Sequence, residues 1–161
     1  MAGSLGMGYY QVQKDRMRVS FLEEFERNLT FLYGEMQFSG EEIQHLFEKL
    51  GQSNGLLSTF WQRVNILLEE QYDVTLSGCI KQAVTEMETK NYVKAEELQI
   101  LLGLGENIGS LDLETQLHTL KHYQKQLEEV TMSAKKRYRE KSRIHMVLGA
   151  TAGTFLSIVL L

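Results

Sequence analysis

The chain has no proline and a single cysteine, Cys79, among its 161 residues. Without proline no helix is interrupted by a missing N–H donor, and turns must be built from Gly, Asn and Ser. Long unbroken helices are the expectation. One cysteine excludes an intrachain disulfide and any cysteine-based metal site, which fits a reducing compartment. Cys79 lies in LSGCIKQAV, an apolar helical pattern in which a small buried thiol is the ordinary reading and a nucleophile is not. A signal peptide is missing too. The opening MAGSLGMG has neither a basic n-region nor an apolar h-region and reads as a frayed terminus outside the fold, so residues 1–15 are assigned to a leader.

Charge is absent altogether from the last stretch. Ile144 to Leu161 is 18 residues without an Asp, Glu, Lys or Arg. As a helix it reaches about 27 Å, just enough to cross a hydrocarbon core of roughly 30 Å. The alternative is a buried C-terminal helix, but a core helix seldom stays uncharged for so long. Gly149 and Gly153, with Ala150 and Ala152, form a small-xxx-small face on which another membrane helix or a second copy of the chain can pack. Immediately before this tail stand Lys135, Lys136, Arg137, Arg139, Lys141 and Arg143 against one acid, Glu140. Basic residues flanking a membrane helix stay on the cytoplasmic side, so the body before them is expected in the cytoplasm. The same block can also touch anionic lipid.

The net charge of −4 hides an asymmetry: residues 1–134 carry 20 acidic and 11 basic side chains, and 135–143 carry six basic and one acidic. An acidic body excludes the electrostatic footprint of a nucleic-acid-binding protein. The chain therefore divides into a helical domain over 16–134, a basic juxtamembrane segment over 135–143 and a transmembrane helix over 144–161.

Apolar periodicity predicts six helical segments, an all-α antiparallel bundle. The first carries Phe21, Leu22, Phe25, Leu29 and Leu32 on one stripe and closes at Gly34. In the second, Ser39 and Glu42 read as a capping box ahead of Ile43, Leu46, Phe47 and Leu50, with Gly51 as the stop. A third, from about Leu56 to Gln71, presents Leu57, Phe60, Trp61, Val64, Leu67 and Leu68, the aromatic pair being core. The fourth runs from Thr75 to Glu88 with Leu76, Ile80, Val84 and Met87 inward, after a turn near Asp73. The fifth, from Asn91 or Tyr92 to Leu104, buries Ala95, Leu98, Leu101 and Leu102. The sixth starts with Asp112 or Ser110 as N-cap and meets no breaker before the basic block, so it and the tail are expected to form one rod near 70 Å long.

No catalytic pattern emerges. Gly103, Gly105 and Gly109 in LGLGENIG have the wrong spacing for a phosphate loop and no Lys-Ser/Thr after them; helix caps and turns account for them better. His118 and His122 are four apart, but Thr119, Leu120 and Lys121 between them give no zincin motif, and a solvated face is the better account. Adjacent Glu pairs such as Glu96-Glu97 point about 100° apart on a helix and make no acid–base dyad. No enzyme and no cofactor is expected.

Gly105, Gly109, Asp112 and Gln116, followed by a long helix, a basic stretch and the terminal Leu148-Gly149 helix, resemble the C-terminal half of the stage III sporulation protein AB family. The first helix, ending Phe31-Leu32-Tyr33-Gly34-Glu35, is similar to the family's N-terminal Tyr-Gly helix, so the resemblance spans most of 16–161. Two departures stand out. The family opens with its own membrane helix, absent here, and Met17 replaces the proline of an Arg-Pro-Arg segment; Gln37, Phe38 and Ser39 also stand where a proline follows the Tyr-Gly pair. The resemblance implies a domain like those of type II secretion F platform proteins, facing the mother-cell cytoplasm. It further implies membership of the membrane complex between mother cell and forespore, with the operon's hexameric ATPase and small membrane proteins as partners. A tail-anchored adaptor of another pathway is the alternative, and an enzyme using His118 and His122 ranks last.

Overall fold

The computed structural model describes residues 2–70, 75–109 and 112–160. Among the described residues six helices follow one another: α1 (Ala2–Phe38), α2 (Ile43–Gly51), α3 (Ser58–Glu70), α4 (Leu76–Met87), α5 (Ala95–Ile108) and α6 (Leu113–Val159). No strand occurs among the described residues. The antiparallel order shows in side-chain register. Asp15, Glu23 and Thr30 of α1 meet Lys141, Lys135 and Gln124 of α6. Between α2 and α3, Gln62 donates to the Gly51 carbonyl and Asn65 to that of Phe47.

The core is one cluster. Phe21, Leu22, Phe25, Leu29 and Leu32 are fully buried, as the stripe on α1 requires, and they meet Phe47, Trp61, Ile80, Leu101 and Leu120 from the other helices. Phe47 stacks on Trp61 with centroids 4.8 Å apart, and Phe60 meets the same indole edge-on. Burying such side chains contributes about 1.5–3 kcal/mol each, which is why periodicity alone located the helices.

Helix ends differ from the sequence reading, and each difference has a physical reason. The first helix begins at Ala2, inside the stretch assigned to a leader, because Asp15 and Gly8 lie against α6. It does not close at Gly34 either. Open space surrounds Gly34, and the chain turns only at Gly40, whose φ of +66° is the left-handed conformation glycine tolerates. The Ser39 capping box does not form: Ser39 Oγ is spent on the Glu35 carbonyl and the Glu41 N–H, and the N-cap of α2 is Glu42 without a side-chain bond. Helix α5 runs past Leu104 to Ile108, so Gly103 and Gly105 are interior residues and not caps. Ala95 is exposed and Leu102 only half-buried, while Ile100 and Leu104 take the core positions. Thr75 caps α4 by accepting from the Gly78 N–H at 3.2 Å. The turn near Asp73, and Ser110 as an N-cap, lie outside the described residues.

Polar side chains on the buried face of α1 fix the neighbouring helices. Arg18 is 4% exposed and its guanidinium reaches the fully buried Glu97 carboxylate at 2.5 Å. The other Glu97 oxygen accepts from the Lys94 N–H at 2.7 Å, so one carboxylate satisfies both α1 and the first turn of α5. Glu24 accepts from the N–H groups of Leu56 and Leu57 at 2.7 and 2.9 Å, capping α3 from another helix. With its amide oxygen facing the indole, Asn28 accepts from Trp61 Nε1 at 2.9 Å.

Removing one member of a buried ion pair leaves an uncompensated charge. Arg18→Met is therefore expected to lower the stability of the full chain by about 3–5 kcal/mol in urea titrations followed by circular dichroism. The double variant Arg18→Met/Glu97→Leu should recover part of that loss; equal destabilisation in both would mean that the pair is not the source.

Candidate functional site

Two regions hold the residues that the sequence singled out: the corner joining α5 to α6, and the length of α6 that leaves the bundle. At the corner, an added Cβ on Gly105 would meet Ile80 Cγ2 at 2.6 Å and Ile80 Cβ at 2.9 Å, so this glycine exists to let α4 and α5 approach closely. Gly109 is the C-cap of α5. Asp112 is the N-cap of α6, accepting from Glu114 N–H at 3.2 Å, from Thr115 N–H at 2.9 Å and from the Thr115 hydroxyl. Gln116 reaches back and donates to the Ile108 carbonyl at 3.0 Å, covering an orphan acceptor at the end of α5. Gly105, Gly109, Asp112 and Gln116 thus come together as a folding corner. Tyr33 and Gly34 lie apart from it, Tyr33 half-buried against the core and Gly34 beside an open cleft with Glu23, Phe31 and Lys135.

From Leu113 to Val159, α6 is one unbroken helix of 47 residues. Its first half is packed: Leu120, Leu127, Val130 and Ala134 are core. From Arg143 onward every described residue is exposed, including Ile144, Met146, Leu148, Phe155, Leu156 and Ile158. It is the one helix among the described residues long and apolar enough to cross a membrane, by length and composition. Gly149 and Gly153 have nothing near them.

The basic block lies where packing ends, and its members are not equivalent. Lys135 pairs with Glu23 and Lys141 with Asp15, each at 2.8 Å, which ties α6 to α1. Lys136, Arg137, Arg139 and Arg143 have no carboxylate at ion-pair distance among the described residues. Above Lys141 the two helices still touch, Gly8 lying so close to His145 that a Cβ there would overlap the ring at 2.6 Å.

His122 and Cys79 are held in ordinary packing and hydrogen-bond contacts. His122 bonds Gln126 at 3.1 Å and lies edge-on to Tyr123, and no group of three metal-ligating side chains occurs among the described residues. Cys79 is fully buried, and burial pushes its thiol above the usual range, away from the reactive thiolate. Arg18, Glu24, Asn28 and Glu97 were missed by sequence reasoning. The available signal was that Arg18 and Asn28 stand three residues before Phe21 and three after Phe25, in step with the apolar stripe.

These features define an all-α domain carried on a helix whose last third is apolar and uncovered. The sequence profile of stage III sporulation protein AB matches residues 1–161, and the chain belongs to that family of sporulation proteins. The match includes the stretch read as a leader. A solved structure, Stage III sporulation protein AB, superposes with a TM-score of 0.67 at 18% identity, covering 76% of this chain and 97% of that one. At that identity the likeness establishes the fold. Comparison with curated proteins finds no match.

Two expectations concern the corner. Gly105→Ala gains about 1 kcal/mol of helix propensity but forces the Ile80 side chain to move, and a net loss of about 1–2 kcal/mol is expected in urea unfolding. The Thr115 hydroxyl, then the Thr115 N–H, hold the Asp112 carboxyl below the usual range. Its folded pKa being the lower one, the stabilisation is present above the unfolded value of about 4 and is lost as pH falls through the folded value. Asp112→Asn keeps the cap and should remove this part of the acid-side loss; an unchanged pH dependence of the melting temperature would contradict it.

Proposed function

We propose that the chain is a non-enzymatic, membrane-anchored platform component of the sporulation complex linking mother cell and forespore. In this reading the segment from Ile144 crosses the membrane around the forespore, the bundle faces the mother-cell cytoplasm, and the bundle docks the operon's ATPase to small membrane components. The observation that carries it is the exposed apolar last third of α6, continuous with a packed bundle helix, in a chain of this family.

Three further features support the reading. The basic residues stand on the bundle side of the apolar segment, as positive-inside orientation requires. The acidic body offers a broad charged surface to a partner. A single helix shared by anchor and bundle transmits position without a flexible linker, which is what a docking platform needs.

The test is to express the tagged full chain in a spore-forming host that lacks its own copy. The chain should stay in the membrane fraction after an alkaline wash, its bundle should be digested by protease added on the cytoplasmic side, and cross-linking should co-isolate the ATPase of the operon. Retention without the ATPase or any other complex member would transfer support to an adaptor of another pathway; release into the alkaline wash would sink the anchor.

A further inference from the structure

Six of the basic side chains near the exit of α6 from the bundle are left without a carboxylate at ion-pair distance among the described residues, although they sit on three different helices. Lys14 and Arg16 flank Asp15 on α1, whose carboxylate is taken by Lys141. Arg137, Arg139 and Arg143 follow one another along α6, and Lys94 is the N-cap of α5. Nearby acids are already engaged or few: Glu97 holds Arg18, Glu23 holds Lys135, and Glu140 is the one acid within the block. Lys94, Arg18 and Arg137 are close enough that their charges oppose one another: burial first, then the Arg18 and Arg137 charges, holds the Lys94 amine below its usual range. Folding has gathered like charges at one level, and the acids that act on Lys94, Asp15 and Glu97, are both already paired, with Lys141 and Arg18.

That level is set by α6. Arg143 is adjacent to the apolar segment, and Arg137 lies seven residues below Ile144, about 10 Å along the helix, which is about one screening length at physiological salt. Tyr9 and Tyr10 stand on α1 above Lys14 with 68% and 58% of their surface exposed, and Asn91 from the α4–α5 connection donates to the Tyr10 hydroxyl at 2.6 Å. Exposed tyrosines at the edge of an apolar segment, with cations just beneath them, are the arrangement of a membrane–water interface.

We propose that Arg139 and Arg143, backed by Arg137, Lys94, Lys14 and Arg16, form a collar that binds the headgroups of anionic phospholipids. The inference rests on the membrane-anchored reading given above. Within the basic block, Lys135 and Lys141 hold α6 to α1, whereas Arg137, Arg139 and Arg143 face lipid. The collar also recruits Lys94, which is distant from them in the chain and joins them only through the fold.

The test equilibrates the purified full chain with mixed micelles of phosphatidylglycerol and phosphatidylcholine in equal amounts, then quantifies the lipids retained. Phosphatidylglycerol should be enriched roughly 25-fold, Arg139 and Arg143 being worth about a fivefold factor each, and Arg139→Gln/Arg143→Gln should remove most of that enrichment. Lys94→Gln/Arg137→Gln should reduce it less, and Arg63→Gln, whose partner is Glu86, should leave it unchanged. Circular dichroism on each variant confirms that it is folded. Equal retention of the two lipids by the wild-type chain, or an unchanged ratio in both double variants, would overturn the collar. Loss of enrichment on adding inorganic phosphate at constant ionic strength would assign the cations to a soluble anion and overturn it as well. Resistance of the chain to alkaline extraction from pure phosphatidylcholine vesicles reports the anchor separately, so failure of the collar is distinguishable from failure of the membrane reading.

Discussion

Everything in this molecule depends on the antiparallel pairing of α1 with α6. These two helices are the longest, and they are in contact from Thr30 and Gln124 at one end to Gly8 and His145 at the other. Their shared face supplies fully buried core residues, but hydrophobic burial alone does not set the angle or height of α3 and α5. That is done by directed bonds from α1: Arg18 to Glu97, Glu24 to the N–H groups of Leu56 and Leu57 just ahead of α3, and Asn28 to Trp61. Each is buried, so each is costly to leave unmade, and together they hold α3 and α5 at one position along the α1–α6 pair.

The consequence is mechanical. Since α6 has no break between the last core residue, Ala134, and the apolar segment, the position of α3 and α5 on α1 is also their position relative to the end of the anchor. Absence of proline is the sequence-level cause: nothing in the chain removes a backbone donor from either long helix. The basic residues then divide between tying α6 to α1 and facing outward, a division made by which carboxylates α1 happens to present.

Much of this was legible before any coordinates. The stripes of Phe21, Phe25 and Leu29 on α1 and of Ile80, Val84 and Met87 on α4 revealed the helices, because a 3.6-residue period is a local property. The corner residues Gly105, Gly109, Asp112 and Gln116 were visible as a pattern, and the structure supplies their reason. What could not be read were bonds between residues 79 and 33 apart in the chain, Arg18 with Glu97 and Glu24 with Leu57, since neither partner carries a local mark of the other. Helix ends failed for a related reason. Gly34 and the Ser39-Glu42 pair have the composition of terminators, but burial of Leu32 and Met36 on either side carried α1 past the first, and a Ser39 bond to Glu35 removed the second.

If one rigid helix joins the bundle to the membrane, a single distance tests it most directly. Spin labels at His118→Cys and Ser157→Cys, both exposed positions, with Cys79→Ala to leave no third thiol, can be measured by pulsed electron resonance on the full chain in vesicles. A continuous helix places the two backbones about 58 Å apart with a narrow distribution. A broad distribution, or a mean several ångströms shorter, would show a hinge between bundle and anchor and contradict the rigid connection.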